Sequence, residues 1–113
     1  IGHCDTDNVM RFNTVVDSGK VGILFRDDSR GKDFWANRNI IEENKIINSG
    51  AADGIGILIE GRTRDTQVRN NSIIEKRGPM NRTAIKIQEN VGNLNLESNT
   101  IEGYNNKIVD GRK

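Results

Sequence analysis

The sequence predicts an all-β fold in which one chain winds into about four stacked coils of short parallel strands. Three observations carry that expectation. The 113 residues include fifteen Ile, fifteen Asn and twelve Gly against four Leu and one Pro, a composition poor for helices and suited to β-branched strands between turns. A motif of Asn followed two residues later by an apolar β-branched residue recurs as Asn13-Thr14-Val15-Val16, Asn44-Lys45-Ile46-Ile47, Asn71-Ser72-Ile73-Ile74 and Asn99-Thr100-Ile101, at spacings of 31, 27 and 28 residues. Around each motif the same neighbours return, an apolar residue three positions earlier and an alternating segment later.

Each coil reads strand, tight Asn turn, strand, loop, strand, loop. The apolar residues ahead of the turn are Met10, Ile41, Val68 and Leu96. The later segments are Val21-Gly22-Ile23-Leu24-Phe25, Ile55-Gly56-Ile57-Leu58-Ile59, Ala84-Ile85-Lys86-Ile87 and Lys107-Ile108-Val109. Alternation puts Ile23, Phe25, Ile57, Ile59, Ile85 and Ile87 on one face and Leu24, Leu58 and Lys86 on the other. So short a strand cannot bury its inner face alone. Parallel stacking of equivalent strands about 4.8 Å apart solves this by making continuous aliphatic columns. Asparagine suits the shared turn because it tolerates a left-handed conformation and its amide can bond the equivalent Asn one coil away. No segment keeps apolar residues at i, i+3, i+4 and i+7 over three turns, and a sandwich needs hairpins rather than a long fixed period. The loop from Glu75 to Arg82 contains Gly78-Pro79, so it is a turn that cannot pair.

This succession of apolar strand, Asn turn, Ile strand and Gly-x-Ile-x-Ile strand resembles the right-handed parallel β-helix repeat of the pectate-lyase-like superfamily, over essentially the whole chain. It also resembles repeats in uncharacterised secreted bacterial β-helix proteins. The resemblance implies a single-stranded, right-handed solenoid. Residues around Ile23–Phe25, Ile57–Ile59 and Ile85–Ile87 would form its first sheet, those around Ile41, Val68 and Leu96 its second, and the residues after each Asn its third. It further implies a secreted or extracellular protein, periplasmic or at the cell surface, that binds or cleaves polysaccharide by lyase or glycoside hydrolase chemistry. The alternative from another class is a noncatalytic structural or adhesive scaffold. Ile1 aligns with Ile59, so residues 1–113 are expected to be an incomplete domain, the C-terminal part of a longer β-helix, with its missing N-terminal coils and cap as a partner.

Composition narrows the remaining classes. Seventeen Lys+Arg against sixteen Asp+Glu give a formal charge of +1, with no basic surplus to attract nucleic acid. No apolar run approaches the length of a membrane span, so no membrane insertion is expected. Cys4 is the single cysteine, which excludes an internal disulfide and a cysteine-based zinc cluster. Phosphate-loop and dinucleotide-binding glycine motifs are absent.

The resemblance implies that chemistry lies on the outer face of the first sheet and in the loops that leave it. The loop from Arg26 to Arg38 is about seven residues longer than its counterparts Glu60–Asp65 and Gln88–Asn93, an anomaly of the kind that carries function. Stacked loops would gather Arg26, Asp27, Asp28, Glu60 and Arg62 with His3, Asp5 and Asp7 along one edge. Asp27, Asp28 and Glu60 could act as general acid and base on a glycosidic bond, and Arg26 could abstract a proton beside a uronate. Asp5 and Asp7 are the weaker candidates for holding Ca²⁺, and no other cofactor is implied. Trp35 could offer a ring for sugar stacking, with Arg62, Lys86 and Leu58 completing a substrate surface. The competing expectation is a solvated ring of ion-paired loop charges. An enzyme requires the acids and a cation to converge with one carboxylate unpaired, whereas a scaffold requires each acid to be satisfied by Arg26, Arg30, Arg62 or Arg64.

Overall fold

The structure, a computed structural model, describes residues 6–26, 36–50, 53–77 and 81–112. These residues form twelve strands and no helix. The first sheet contains β3 (Val21–Phe25), β6 (Ile55–Ile59), β9 (Thr83–Ile87) and β12 (Asn106–Asp110). The second contains β1 (Val9–Arg11), β4 (Ile40–Glu42), β7 (Thr66–Arg69) and β10 (Leu94–Glu97). The third contains β2 (Thr14–Val16), β5 (Lys45–Ile47), β8 (Ser72–Ile74) and β11 (Thr100–Glu102). Every pairing is parallel, and each sheet takes one strand from each successive rung. The result is a three-sheet solenoid of the parallel β-helix kind, with about four rungs.

Register explains why the core is aliphatic. Ile41 lies between Met10 and Val68, Ile46 between Val15 and Ile73, and Ile57 between Ile23 and Ile85. Like side chains therefore stack on like, one rung apart, and the middle members of these columns are fully buried. The expected alternation holds, with Phe25, Ile59 and Ile87 inside while Leu24, Leu58 and Lys86 are half-buried outside.

The asparagine ladder forms as expected. Asn13 Nδ2 donates to Asn44 Oδ1 at 3.1 Å, Asn44 Nδ2 to Asn71 Oδ1 at 3.1 Å, and Asn71 Nδ2 to Asn99 Oδ1 at 3.0 Å. Each Oδ1 also accepts the backbone N–H of the preceding Asn, and each Nδ2 after Asn13 donates back to Met10, Ile41 or Val68 O. The left-handed conformation, however, does not sit on these asparagines. It belongs to the residue before each, Phe12, Glu43, Asn70 and Ser98, with φ between 54° and 57°. That residue makes the bend, and the Asn after it turns its amide along the stack, where β geometry aligns it with its neighbour.

Glycine at the second position of β3 and β6 has a steric cause. A Cβ on Gly56 would stand 2.6 Å from Ala84 O and 2.7 Å from Ile73 Cγ2, and one on Gly22 would meet Gly56 O and Ile46 Cγ2 at the same distances. The first sheet passes too close to the third at this corner for a branched side chain.

Two stability differences follow. Replacing Asn71 with Ala removes both acceptor and donor from a fully buried site and should lower unfolding free energy by roughly 2–4 kcal/mol in a denaturant titration, whereas Asn13→Ala at the exposed end should cost less than about 1 kcal/mol. Gly56→Val should lower the denaturation midpoint by an amount equivalent to roughly 1–3 kcal/mol, through overpacking against Ile73.

Candidate functional site

The first-sheet face is built by β3, β6, β9 and β12, whose register sets Leu24, Leu58, Lys86 and Val109 in one outward row. Leu58 and Lys86 are thus brought side by side. Arg26 and Glu60 occupy equivalent positions where β3 and β6 end, tied by the backbone bond from Glu60 N to Phe25 O at 3.1 Å. Neither the Arg26 guanidinium nor the Glu60 carboxylate has a partner among the described residues. Arg62 is exposed in the same turn and is engaged by a neighbour. Asp27, Asp28, Trp35 and Asp5, like His3 and Arg30, lie outside the described residues, so the expected convergence reduces here to Arg26, Glu60, Leu58 and Lys86.

Asp7 stands apart from that group, at the start of the second sheet rather than the end of the first. Its carboxylate takes a two-pronged contact from Arg38 one rung away, Nε to Oδ1 at 2.7 Å and Nη2 to Oδ2 at 2.9 Å. That hydrogen bonding holds the Asp7 carboxyl below its ordinary range. Asp65 adds to the field on Arg38, and Asn93 Nδ2 donates to Asp65 Oδ1 at 3.3 Å. The row Asp7, Arg38, Asp65, Asn93 therefore holds two bonded pairs along the stack, Asp7 with Arg38 and Asp65 with Asn93. Among the described residues no three His, Cys, Asp or Glu side chains gather as a metal site would require.

Beside this row an open depression of about 370 Å³ is lined by Asp65, Thr66, Gln67, Asn93, Leu94 and Asn95. Its walls offer amide and carboxylate groups of the kind that bind hydroxyls. Asn39, fully buried next to it, accepts the backbone N–H of Asn8 at 3.0 Å and begins a second, shorter asparagine step. Sequence reasoning passed over this corner because Thr66 and Leu94 replace Asn in the later rungs, which breaks the periodic signal.

It also passed over the most buried charges among the described residues. Glu75 follows β8 and has a fully buried side chain, and its carboxylate accepts from Arg77 N at 3.0 Å, Nε at 2.8 Å and Nη2 at 2.9 Å. Arg82, also buried, approaches at 3.5 Å. Hydrogen bonds from Arg77, followed by the charges of Arg77 and Arg82, outweigh burial and hold the Glu75 carboxyl below its ordinary range. Burial first, and then the Glu75 charge, push the nearby Tyr104 phenol up, so it stays protonated. The Ser49 hydroxyl is near enough to act on that phenol but lies outside hydrogen-bonding geometry, and both hydroxyls lack a bonded partner. A carboxylate ionised and saturated in this way is a structural anchor and cannot serve as a general acid at neutral pH. The available signal was one acid followed within seven residues by two arginines.

No protein-family model, curated protein or solved structure matches this chain.

Because the folded carboxyl of Glu75 titrates below its unfolded value, its contribution is fully present above the unfolded pKa of 4.5 and is lost as pH falls through the folded value. Glu75→Gln should therefore flatten the acid limb of a melting-temperature profile below about pH 5. At pH 7 the same change should destabilise the protein by on the order of 3 kcal/mol, because Arg82 keeps its charge without its partner.

Proposed function

We propose that this chain is a noncatalytic structural or adhesive segment of a right-handed parallel β-helix, displayed outside the cell. The supporting observation is the pairing of charge on the remaining faces, Asp7 with Arg38, Glu42 with Arg69, Glu75 with Arg77 and Arg82, and Asp110 with Arg112, while Glu60, without a partner among the described residues, is the acid that departs from the scaffold expectation. Arg112 holds the Asp110 carboxyl down to about 2, so this acid too stays ionised across the neutral range. Acids bonded in this way stiffen the surface and offer no proton to a substrate. Right-handed winding is supported by the strong preference of parallel crossover connections for that hand.

A second reading keeps polysaccharide as the partner, to be bound or cleaved. It is favoured by Arg26 and Glu60, unpartnered among the described residues, on adjoining rungs beside Leu58 and Lys86. Glu60 would act on the glycosidic bond with Asp27 or Asp28, and Trp35 and Arg62 would hold the sugar, with Ca²⁺ as the cofactor to be tested.

A panel of neutral and uronate polysaccharides, assayed with and without chelator for reducing ends and for unsaturated uronate absorbance, separates the two readings. The scaffold predicts no turnover above buffer. Turnover that falls at least a hundredfold in Glu60→Gln would replace the scaffold with the enzyme.

A further inference from the structure

The outer face of the second sheet carries its charges in an ordered pattern. Register aligns Arg11, Glu42, Arg69 and Glu97 in one outward row and Val9, Ile40, Gln67 and Asn95 in the next. Along the rim where the sheet begins, the same register superposes Asp7, Arg38, Asp65 and Asn93. Sign alternates from rung to rung in both charged rows, and the rim ends on a neutral amide. The two rows are also out of phase, with Arg38 beside Glu42 on one rung and Asp65 beside Arg69 on the next.

These central charges are loosely met within the chain. Arg69 Nε and Nη2 reach the two Glu42 oxygens only at 3.4 and 3.5 Å. Asp65 Oδ1 accepts from Asn93 Nδ2 at 3.3 Å, and Asp65 lines the open depression beside the row, where a cation can approach from outside. The Arg38 side chain is turned outward and is 59 % exposed. Arg38, Glu42, Asp65 and Arg69 belong to β4, β7 and the bends that lead into them, and both strands have a paired neighbour on either side. Their place in the face is therefore independent of either end of the stack.

We infer that this face binds a second copy of the chain, laid against it side by side with the stack reversed. A two-fold axis along the strands, midway between β4 and β7, keeps position along each strand and exchanges the second rung with the third and the first with the fourth. Glu42 then faces Arg69 of the second copy, Arg38 faces Asp65, Arg11 faces Glu97 and Asp7 faces the Asn93 amide, and symmetry makes every pair twice. No charge faces its like. Between the charged rows Ile40 faces the Gln67 amide. A copy turned about the stack axis instead would set Glu42 against Ile40 and Arg11 against Val9, so charges would lose water without gaining an opposite. Four rungs about 4.8 Å apart and strands of three or four residues make a face of roughly 19 by 13 Å, well short of the roughly 800 Å² per partner of a stable dimer. The pairing is therefore weak and salt-sensitive. It does not rest on the scaffold reading, since the sugar-binding surface of the other reading lies on the first sheet.

Sedimentation equilibrium on the 113-residue chain up to about 1 mM, with amide NMR shifts followed over the same range, tests this, and circular dichroism confirms that each variant folds. A monomer–dimer equilibrium should appear and weaken several-fold in roughly 0.5 M salt. Amides of residues 38–42 and 65–69 should shift with concentration while those of β3, β6 and β9 do not. Arg38→Asp alone and Asp65→Arg alone, both on the exposed rim, should each weaken dimerisation roughly tenfold by setting like charges face to face. An equimolar mixture of the two should restore it, because the reversed charges again face their opposites. A chain that stays monomeric throughout, concentration-dependent shifts confined to another face, variants without effect, or a mixture that fails to recover would each overturn the inference.

Discussion

The structure depends on registry between rungs. Each strand has only three to five residues and buries at most a few side chains, so no strand is stable except beside its equivalent one coil away. A slip of one residue would turn Ile57 and Ile59 outward and bring Leu58 in. The asparagine ladder opposes that slip. Its amides bond only when Asn13, Asn44, Asn71 and Asn99 are superposed, and Asn44 and Asn71 are buried where an unmet amide is costly.

Registry also determines where charge goes. Residues 31, 27 or 28 positions apart become neighbours, so Arg38 meets Asp7 and Arg69 meets Glu42, pairs that no local reading of the chain would join. The same stacking sets Arg26 and Glu60 at equivalent positions at the end of the first sheet, where neither has a partner among the described residues. Scaffold and site are thus two outcomes of one geometry, separated by what stands beside a given acid.

How far the sequence could be read varies with whether a residue repeats. The apolar columns and the Asn turns recur in every coil, so the three sheets and their inward faces were legible down to Phe25, Ile59 and Ile87. The site was less so. Leu58 and Lys86 follow from alternation alone, but the pairing of Asp7 with Arg38 depends on where a side chain points at a bend, which periodicity does not specify. The Glu75, Arg77 and Arg82 cluster was invisible for a related reason, since it occurs in one coil only and its neighbours at that position are Asp17, Asn48 and Gly103.

What the sequence by itself determined is the repeat, and with it the order of the strands, the inward-facing positions and the superposition of the asparagines, because each is a periodic property that recurs from coil to coil. The placement of the left-handed bend one residue ahead of the ladder, the steric demand for Gly56 and the saturation of Glu75 were decided by three-dimensional packing. These depend on distances between chain segments that are far apart in sequence, and no composition or spacing encodes a distance until the coil has closed.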